Sequence, residues 1–184
     1  RPRDIVSGDF YWTEKIDNKS VIAAIDCTGH GVPGAFMSVL GTSLLNEIVT
    51  KQNFVSAAQT LEILRIKIKQ ALNQTGKDNE QKDGMNMALC VLDFKDLSLE
   101  YSGAYNPAYI LRNNEINILE PDRQPISIHL IEKNFTNKFF KLQKNDCIYL
   151  FSDGFPDQMG GQDYKKFLIK NFKSLLIKIN NLPL

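Results

Sequence analysis

Three aspartates stand where apolar runs meet glycine-rich turns, and their chemistry is that of hard cations. Asp9 follows Ser7-Gly8, Asp26 closes the apolar run from Val21 to Ile25, and Asp153 precedes Gly154 just after the run from Ile148 to Phe151. A carboxylate at the end of a buried strand is costly unless something positive compensates it, and a bound metal ion is a common compensation. Oxygen-only donors select ions such as Mg²⁺ or Mn²⁺. The two histidines, His30 and His129, are far apart, so an imidazole-based zinc site is not supported. An alternative stays open: Gly-Asp and Asp-Gly pairs also mark ordinary turns.

The elements that must position these acids follow from periodicity. Phe10 to Ile16 and Val21 to Ile25 flank the polar turn Asp17-Asn18-Lys19, which predicts a hairpin with Asp9 and Asp26 on neighbouring strands. Pro33 suits the first turn of a helix, and Phe36, Leu40, Leu44 and Ile48 with Met37, Leu45 and Val49 predict a helix over about 33–51. A second stripe, Leu61, Leu64, Ile68 and Leu72, predicts a helix over about 55–74, and the polar stretch 75–84 predicts an exposed loop. Two further hairpins are expected, Met85 to Leu92 with Leu97 to Tyr101, and Ala108 to Leu111 with Ile116 to Leu119 around Asn113-Asn114. Phe139, Phe140 and Leu142 lead to the run from Cys147 to Phe151, and Tyr164 to Ile179 reads as a lysine-rich helix. Antiparallel strands with helices grouped between them indicate an α+β layered domain.

Bulk properties narrow the function. A chain of 184 residues is the size of a single domain, and its net charge of +1 gives no general pull toward nucleic acid. Cys27, Cys90 and Cys147 are odd in number and lie in or beside apolar runs, as free thiols do in a reducing compartment, so a cytoplasmic location is expected. No apolar stretch is expected to span a bilayer. The start RPRDIV lacks an initiator methionine, which suggests a domain excised from a longer protein. Gly29 to Gly34 spells G-x-G-x-x-G, but Asp26 closes the strand and a second helix follows the first, which weakens a dinucleotide reading.

At SGDFYW, DCTGHGVPGAFMS, YSGAYNPAYIL, DRQPISI and YLFSDGFPDQMGG the sequence resembles the SpoIIE/RsbU-type branch of the PP2C-like (PPM) metal-dependent protein phosphatases, with the motifs in order along nearly the whole chain. The resemblance implies a PP2C-like α/β/β/α sandwich of two antiparallel sheets flanked by helices, covering residues 1–184 and lacking its last strand. It implies that Asp26 bridges two Mn²⁺ or Mg²⁺ ions, that the Cys27 carbonyl can bind one of them, that Asp153 binds the other and that Asp9 supports the second metal. It further implies hydrolysis of phosphoserine or phosphothreonine on a regulatory protein, typically an anti-sigma-factor antagonist (STAS) domain, with a sensor domain preceding the phosphatase. A homodimer is left open.

Two departures stand out. The family pattern ends with a strand preceded by an Asp-Asp or Asp-Asn pair that completes the metal site, whereas these residues end in NNLPL. Thr28 stands where eukaryotic members have histidine, so a histidine general acid is not expected. The first departure motivates a second reading, a catalytically incompetent phosphatase-like module that binds a phosphoprotein or relays a signal.

Overall fold

The computed structural model describes residues 5–51, 56–77, 82–160 and 164–180. Strand β1 (Phe10–Ile16) pairs antiparallel with β2 (Lys19–Cys27), placing Phe10 opposite Ile25. Helices α1 (Gly31–Lys51) and α2 (Ala57–Ala71) come next, and β3 (Met85–Asp93) then returns beside β2. The meander continues through β4 (Ser98–Ala104), β5 (Ala108–Arg112) and β6 (Glu115–Leu119). Next come β7 (Lys138–Lys141) and β8 (Cys147–Leu150), a small hairpin of β9 (Met159–Gly160) with β10 (Lys165–Lys166), and α3 (Leu168–Ile179). The strands form one sheet in the order β1-β2-β3-β4-β7 and a second in the order β6-β5-β8, all with antiparallel ladders.

Alternation along the strands sets the layers. On β3, Met87, Leu89 and Val91 join the core beneath α1 and α2, while Ala88 and Cys90 face the second sheet and pack with Leu99, Tyr101 and Ile110. On β5, Ala108 and Ile110 belong to that inter-sheet layer, and Tyr109 faces α3 with Phe172 and Leu176. The result is the expected α/β/β/α sandwich. Because the ladders are antiparallel and α1 leads into α2 rather than a parallel strand, the dinucleotide reading of Gly29 to Gly34 is excluded.

Local chemistry explains the joints. Asn113 and Asn114 both take left-handed backbone (φ 51° and 65°), as a two-residue type I′ turn between paired Arg112 and Glu115 requires. The first amides of α2 are met by side chains: the amide of Gln59 donates to the Ser56 hydroxyl at 3.2 Å, Ala57 to Glu100 at 2.7 Å and Ala58 to Asn137 at 2.7 Å. Its buried stripe of Leu61, Leu64 and Ile68 is the expected one. The expected start of this helix at 55, part of the 75–84 loop and most of NNLPL lie outside the described residues.

Three expectations need correction. The stripe assigned to the core of α1 included Phe36, yet Phe36 is 71% exposed. The helix turns its glycines inward instead. A Cβ on Gly34 would sit 2.8 Å from the Gly29 carbonyl oxygen, and one on Gly41 would sit 3.0 Å from both Met85 and Phe10. The last helix does not begin at Tyr164: positive φ at Tyr164 (47°) and Leu168 (69°) breaks the chain there, and Lys165–Lys166 pair with Met159–Gly160. Finally, Gly31–Thr50 is long and apolar enough by composition to cross a bilayer. In this fold it is a packing helix, with Met37, Leu45, Ile48 and Val49 buried against the sheet.

A clasp holds the sheets together at their far edge. Arg112 on β5 donates from Nε and Nη2 to Asp146 at 2.9 and 2.6 Å, donates to the Lys141 carbonyl at 2.8 Å, and stacks over Phe140. Hydrogen bonds from Arg112 hold the Asp146 carboxyl below its usual range. A depressed folded-state pKa contributes stability above the unfolded value of about 3.9, and that contribution fades as pH falls through the lower folded value. Asp146→Asn is therefore expected to melt a few degrees below the wild type at pH 7, with the gap closing below about pH 4. Thermal melts of both proteins between pH 3 and pH 7 check this.

Candidate active site

The β2 strand delivers Asp26 opposite Asn86 of β3, and Cys27 opposite Met85, at the edge of the sandwich where α1 begins. Tight backbone packing sets the position of this corner. A Cβ at Gly8 would lie 3.1 Å from the Gly29 oxygen and 3.2 Å from the Cys27 carbonyl oxygen, and one at Gly34 would lie 3.1 Å from Gly8 Cα. The start of β1, the loop after β2 and the first turn of α1 are thus in mutual contact only because glycines stand there. The amide of Thr28 donates to the Gly84 carbonyl at 2.9 Å, and the Gly84 amide donates back to the Thr28 hydroxyl at 3.2 Å, which moors the loop from below.

Asp9 precedes β1, exposed, and its charge bears on Asp26. Sequence reasoning missed the residue that holds it. The Ser152 hydroxyl donates to Asp9 Oδ2 at 2.6 Å across 143 positions of chain, a charge-assisted bond that ties the end of the second sheet to the start of the first. A Cβ at Gly154 would come within 3.3 Å of the same oxygen. Asp153 is not at a strand end as expected: β8 stops at Leu150, and Asp153 opens the turn in which the Asp157 amide donates to its carbonyl at 2.9 Å. The turn tilts the SDG segment toward Asp9, so the acids still share a field.

That field shows in their protonation. Burial, then the charges of Asp9 and Asp153, push Asp26 up to about 7. Asp153 is raised by burial and by Asp157 and Asp9, with Lys166 opposing. The Cys27 thiol is buried, and burial with the neighbouring Asp26 charge pushes it up to about 12, so the backbone carbonyl rather than the sulfur is the group suited to a cation here. Among the described residues no three His, Cys, Asp or Glu side chains close around one point, so the acids form an open array rather than a finished cage. Its donor set, all oxygen with unrelieved mutual repulsion, fits hard divalent cations. His30 lies exposed in the loop between β2 and α1.

A model of the family described as stage II sporulation protein E (SpoIIE) matches residues 17–181. The chain belongs to the SpoIIE family. Its fold matches the SiaA-PP2C domain of Pseudomonas aeruginosa at a TM-score of 0.86 and 27% identity, covering 99% of this chain and 70% of that one. The PP2C phosphatase domain of Bacillus subtilis SpoIIE, solved with a fragment of its regulatory domain, matches at 0.73 and 21% identity, covering 98% and 48%. The RsbU and RsbW domains of a Mycobacterium tuberculosis protein match at 0.76 and 19% identity, again covering 98% and 48%. The last two likenesses are of fold, and the SpoIIE-family chain spans about half of each of those structures. No curated protein matches the sequence. As a PP2C-type domain of bacterial signalling, the SpoIIE-family chain carries its acids at one shared corner of the sandwich.

The Ser152 bond yields a prediction. Ser152→Ala is expected to free the Asp9 carboxylate and weaken Mn²⁺ binding about tenfold, in the range found when a ligand's supporting hydrogen bond is removed. Ser152→Thr, which keeps the hydroxyl, should stay near wild type. Isothermal titration with Mn²⁺ measures both.

Proposed function

We propose that this domain is a metal-dependent phosphatase that removes phosphate from phosphoserine or phosphothreonine on a bacterial regulatory protein, with a STAS-type anti-sigma-factor antagonist as the substrate class. The observation that carries this reading is the placement of Asp9, Asp26 and Asp153 at one corner, near enough that Asp26 is raised by burial and then by the charges of the other two. Asp26, the Cys27 carbonyl and Asp153 would hold two Mn²⁺ or Mg²⁺ ions, with Asp9 in support. Such ions, when bound, neutralise a phosphate ester and acidify water for in-line attack.

The chain's own residues do the rest. Asp26 is held by its register in β2, Asp9 by Ser152, and Asp153 by the turn closed through Asp157. No side chain serves as nucleophile, since the thiol at the site, Cys27, is buried and protonated. Thr28 offers no imidazole to protonate the leaving serine, which leaves that proton to solvent. The domain is read as one phosphatase unit spanning residues 1–184 of a longer, sensor-containing cytoplasmic protein.

The open arrangement of the acids favours one rival, a binding module without turnover. Hydrolysis of a phosphoserine protein and of p-nitrophenyl phosphate, with and without millimolar Mn²⁺, separates the two. Mn²⁺-dependent release of phosphate that vanishes in Asp26→Asn supports the phosphatase. Binding of Mn²⁺ and of phosphoprotein without any release in the full-length parent protein overturns it.

A further inference from the structure

We propose that Asn106 is a substrate-binding residue whose side-chain amide donates a hydrogen bond to a phosphoryl oxygen of the bound phosphoester. This rests on the phosphatase reading for the identity of the ligand and on the fold for the place of Asn106.

Among the described residues two buried side-chain atoms have no hydrogen-bond partner, Ser102 Oγ and Asn106 Nδ2. An unpaired buried donor is costly, and native folds keep few of them. Ser102 lies within β4, opposite Leu89 and in the layer beneath the helices. Asn106 lies elsewhere, in the crossing from the first sheet to the second, and is only 9% exposed.

That crossing is at the corner of the acids. Tyr105 bridges to Met87, and on the other side of β3 Met87 pairs with Ile25 and Asn86 with Asp26. In the second sheet Ala108 pairs with Leu150. Asn106 stands two residues before Ala108, and Ser152, which holds Asp9, stands two residues after Leu150. Antiparallel register therefore brings Asn106 to the end of β8 from which Ser152 and Asp153 emerge.

Asn106 is held there under strain. Its backbone amide donates to the Ala104 carbonyl at 2.7 Å, closing a three-residue turn with Tyr105 in left-handed backbone (φ 58°), where a bulky side chain is disfavoured. The buried Tyr101 hydroxyl donates to the Asn106 carbonyl at 2.6 Å. Gly103 leaves room for that bond, since a Cβ there would lie 1.9 Å from the hydroxyl oxygen. These bonds use the backbone of Asn106 and leave its side-chain amide uncommitted.

Whatever satisfies that amide must bring an acceptor. A divalent cation has none, so a metal at the acids leaves Nδ2 unpaired. The acids could accept, yet none of them is bonded to it. A phosphoester seated at this corner brings acceptor oxygens, and a neutral donor fixed beside them stays in place through the reaction.

The test combines thermal melts with calorimetric titration of inorganic phosphate in millimolar Mg²⁺, which offsets the repulsion between the acids and an anion. Asn106→Leu keeps the number of side-chain heavy atoms and removes the donor. Without ligand it should melt about 2–4 °C above the wild type, because an unpaired donor has gone. Its affinity for phosphate should fall about tenfold, with Mg²⁺ affinity unchanged. Asn106→Ala, which cannot crowd the site, should show the same loss of phosphate affinity and decides the matter if the leucine variant does not fold. Wild-type phosphate affinity in a variant that still hydrolyses p-nitrophenyl phosphate overturns this proposal and leaves the phosphatase reading intact. A parallel loss of Mg²⁺ affinity also overturns it, since Asn106 would then be a metal ligand. Asn106-dependent phosphate binding without any hydrolysis of p-nitrophenyl phosphate supports it and counts against the phosphatase reading alone.

Discussion

Asp26→Asn is expected to raise the melting temperature of the metal-free protein at pH 7.5 by about 3–6 °C while cutting Mn²⁺-dependent turnover about a thousandfold. The two effects share one cause. In the metal-free fold Asp26 is pushed up to about 7 by burial and by the charges of Asp9 and Asp153, against an unfolded value of 3.8. The folded protein then holds an extra proton between those values, so this group's contribution to stability falls as pH rises from about 4 to about 7. At pH 7.5 the full penalty is present, and screening of a half-buried group leaves about 1–2 kcal/mol of it. For a domain of this size each kcal/mol is worth about 2–4 °C. Asparagine has no charge to repel, so the variant should show no such slope with pH. Mn²⁺ should raise the melting point of the wild type, because it binds the folded state, and should leave the variant almost unmoved. Melts with and without Mn²⁺ at pH 5 and pH 7.5, beside initial rates, settle it. A variant that melts lower than wild type without metal would show that Asp26 is not under the strain its neighbours imply.

Gly34→Ala should cost more activity than stability. The new methyl would meet backbone on every side, 2.8 Å from the Gly29 oxygen, 3.1 Å from Gly8 Cα and 3.2 Å from the Gly29 carbon. Backbone cannot rotate away as a side chain can, so either the first turn of α1 lifts or the loop after Asp26 moves. Overpacking of this kind costs about 1–3 kcal/mol. A displacement of ligand-bearing backbone by about 1 Å can cost about a hundredfold in rate. The expected result is a melting point lower by several degrees, a weakened response to Mn²⁺ and about a hundredfold slower turnover. Gly160→Ala, where nothing lies within 4 Å, is the stability control. A wild-type rate in Gly34→Ala would show that the helix start does not set the geometry of the acids.

Periodicity in the chain marks some elements and hides others. Hairpins were legible because their signals are local: Asp17-Asn18 and Asn113-Asn114 sit between alternating runs, and the ladders formed where the alternation ran. The place of Asp26 at the end of β2 was legible because a charge ending a buried run needs an outlet. The orientation of α1 was not. A hydrophobic stripe is read from large side chains, but close approach is made by their absence, so Gly34 and Gly41 took the inner face and left Phe36 outside. Ser152 was missed because its partner lies 143 positions away and a serine before an aspartate has no pattern of its own. The hairpin of β9 with β10 was hidden by lysines whose spacing also suits a helix, and left-handed backbone at Tyr164 and Leu168 decided between them.

Cys27 adjoins the Asp26 carboxylate and yet presents almost nothing to oxidants. Peroxide and disulfides react with thiolate, and a thiol pushed up by burial and by the Asp26 charge stays protonated at neutral pH, besides being shut inside the core. Phosphatases that attack phosphate through a cysteine are silenced by such oxidants. In the phosphatase proposed above, a site built from carboxylates with its adjacent sulfur sealed offers an oxidant no thiolate to attack, so its response would follow phosphorylation rather than redox state.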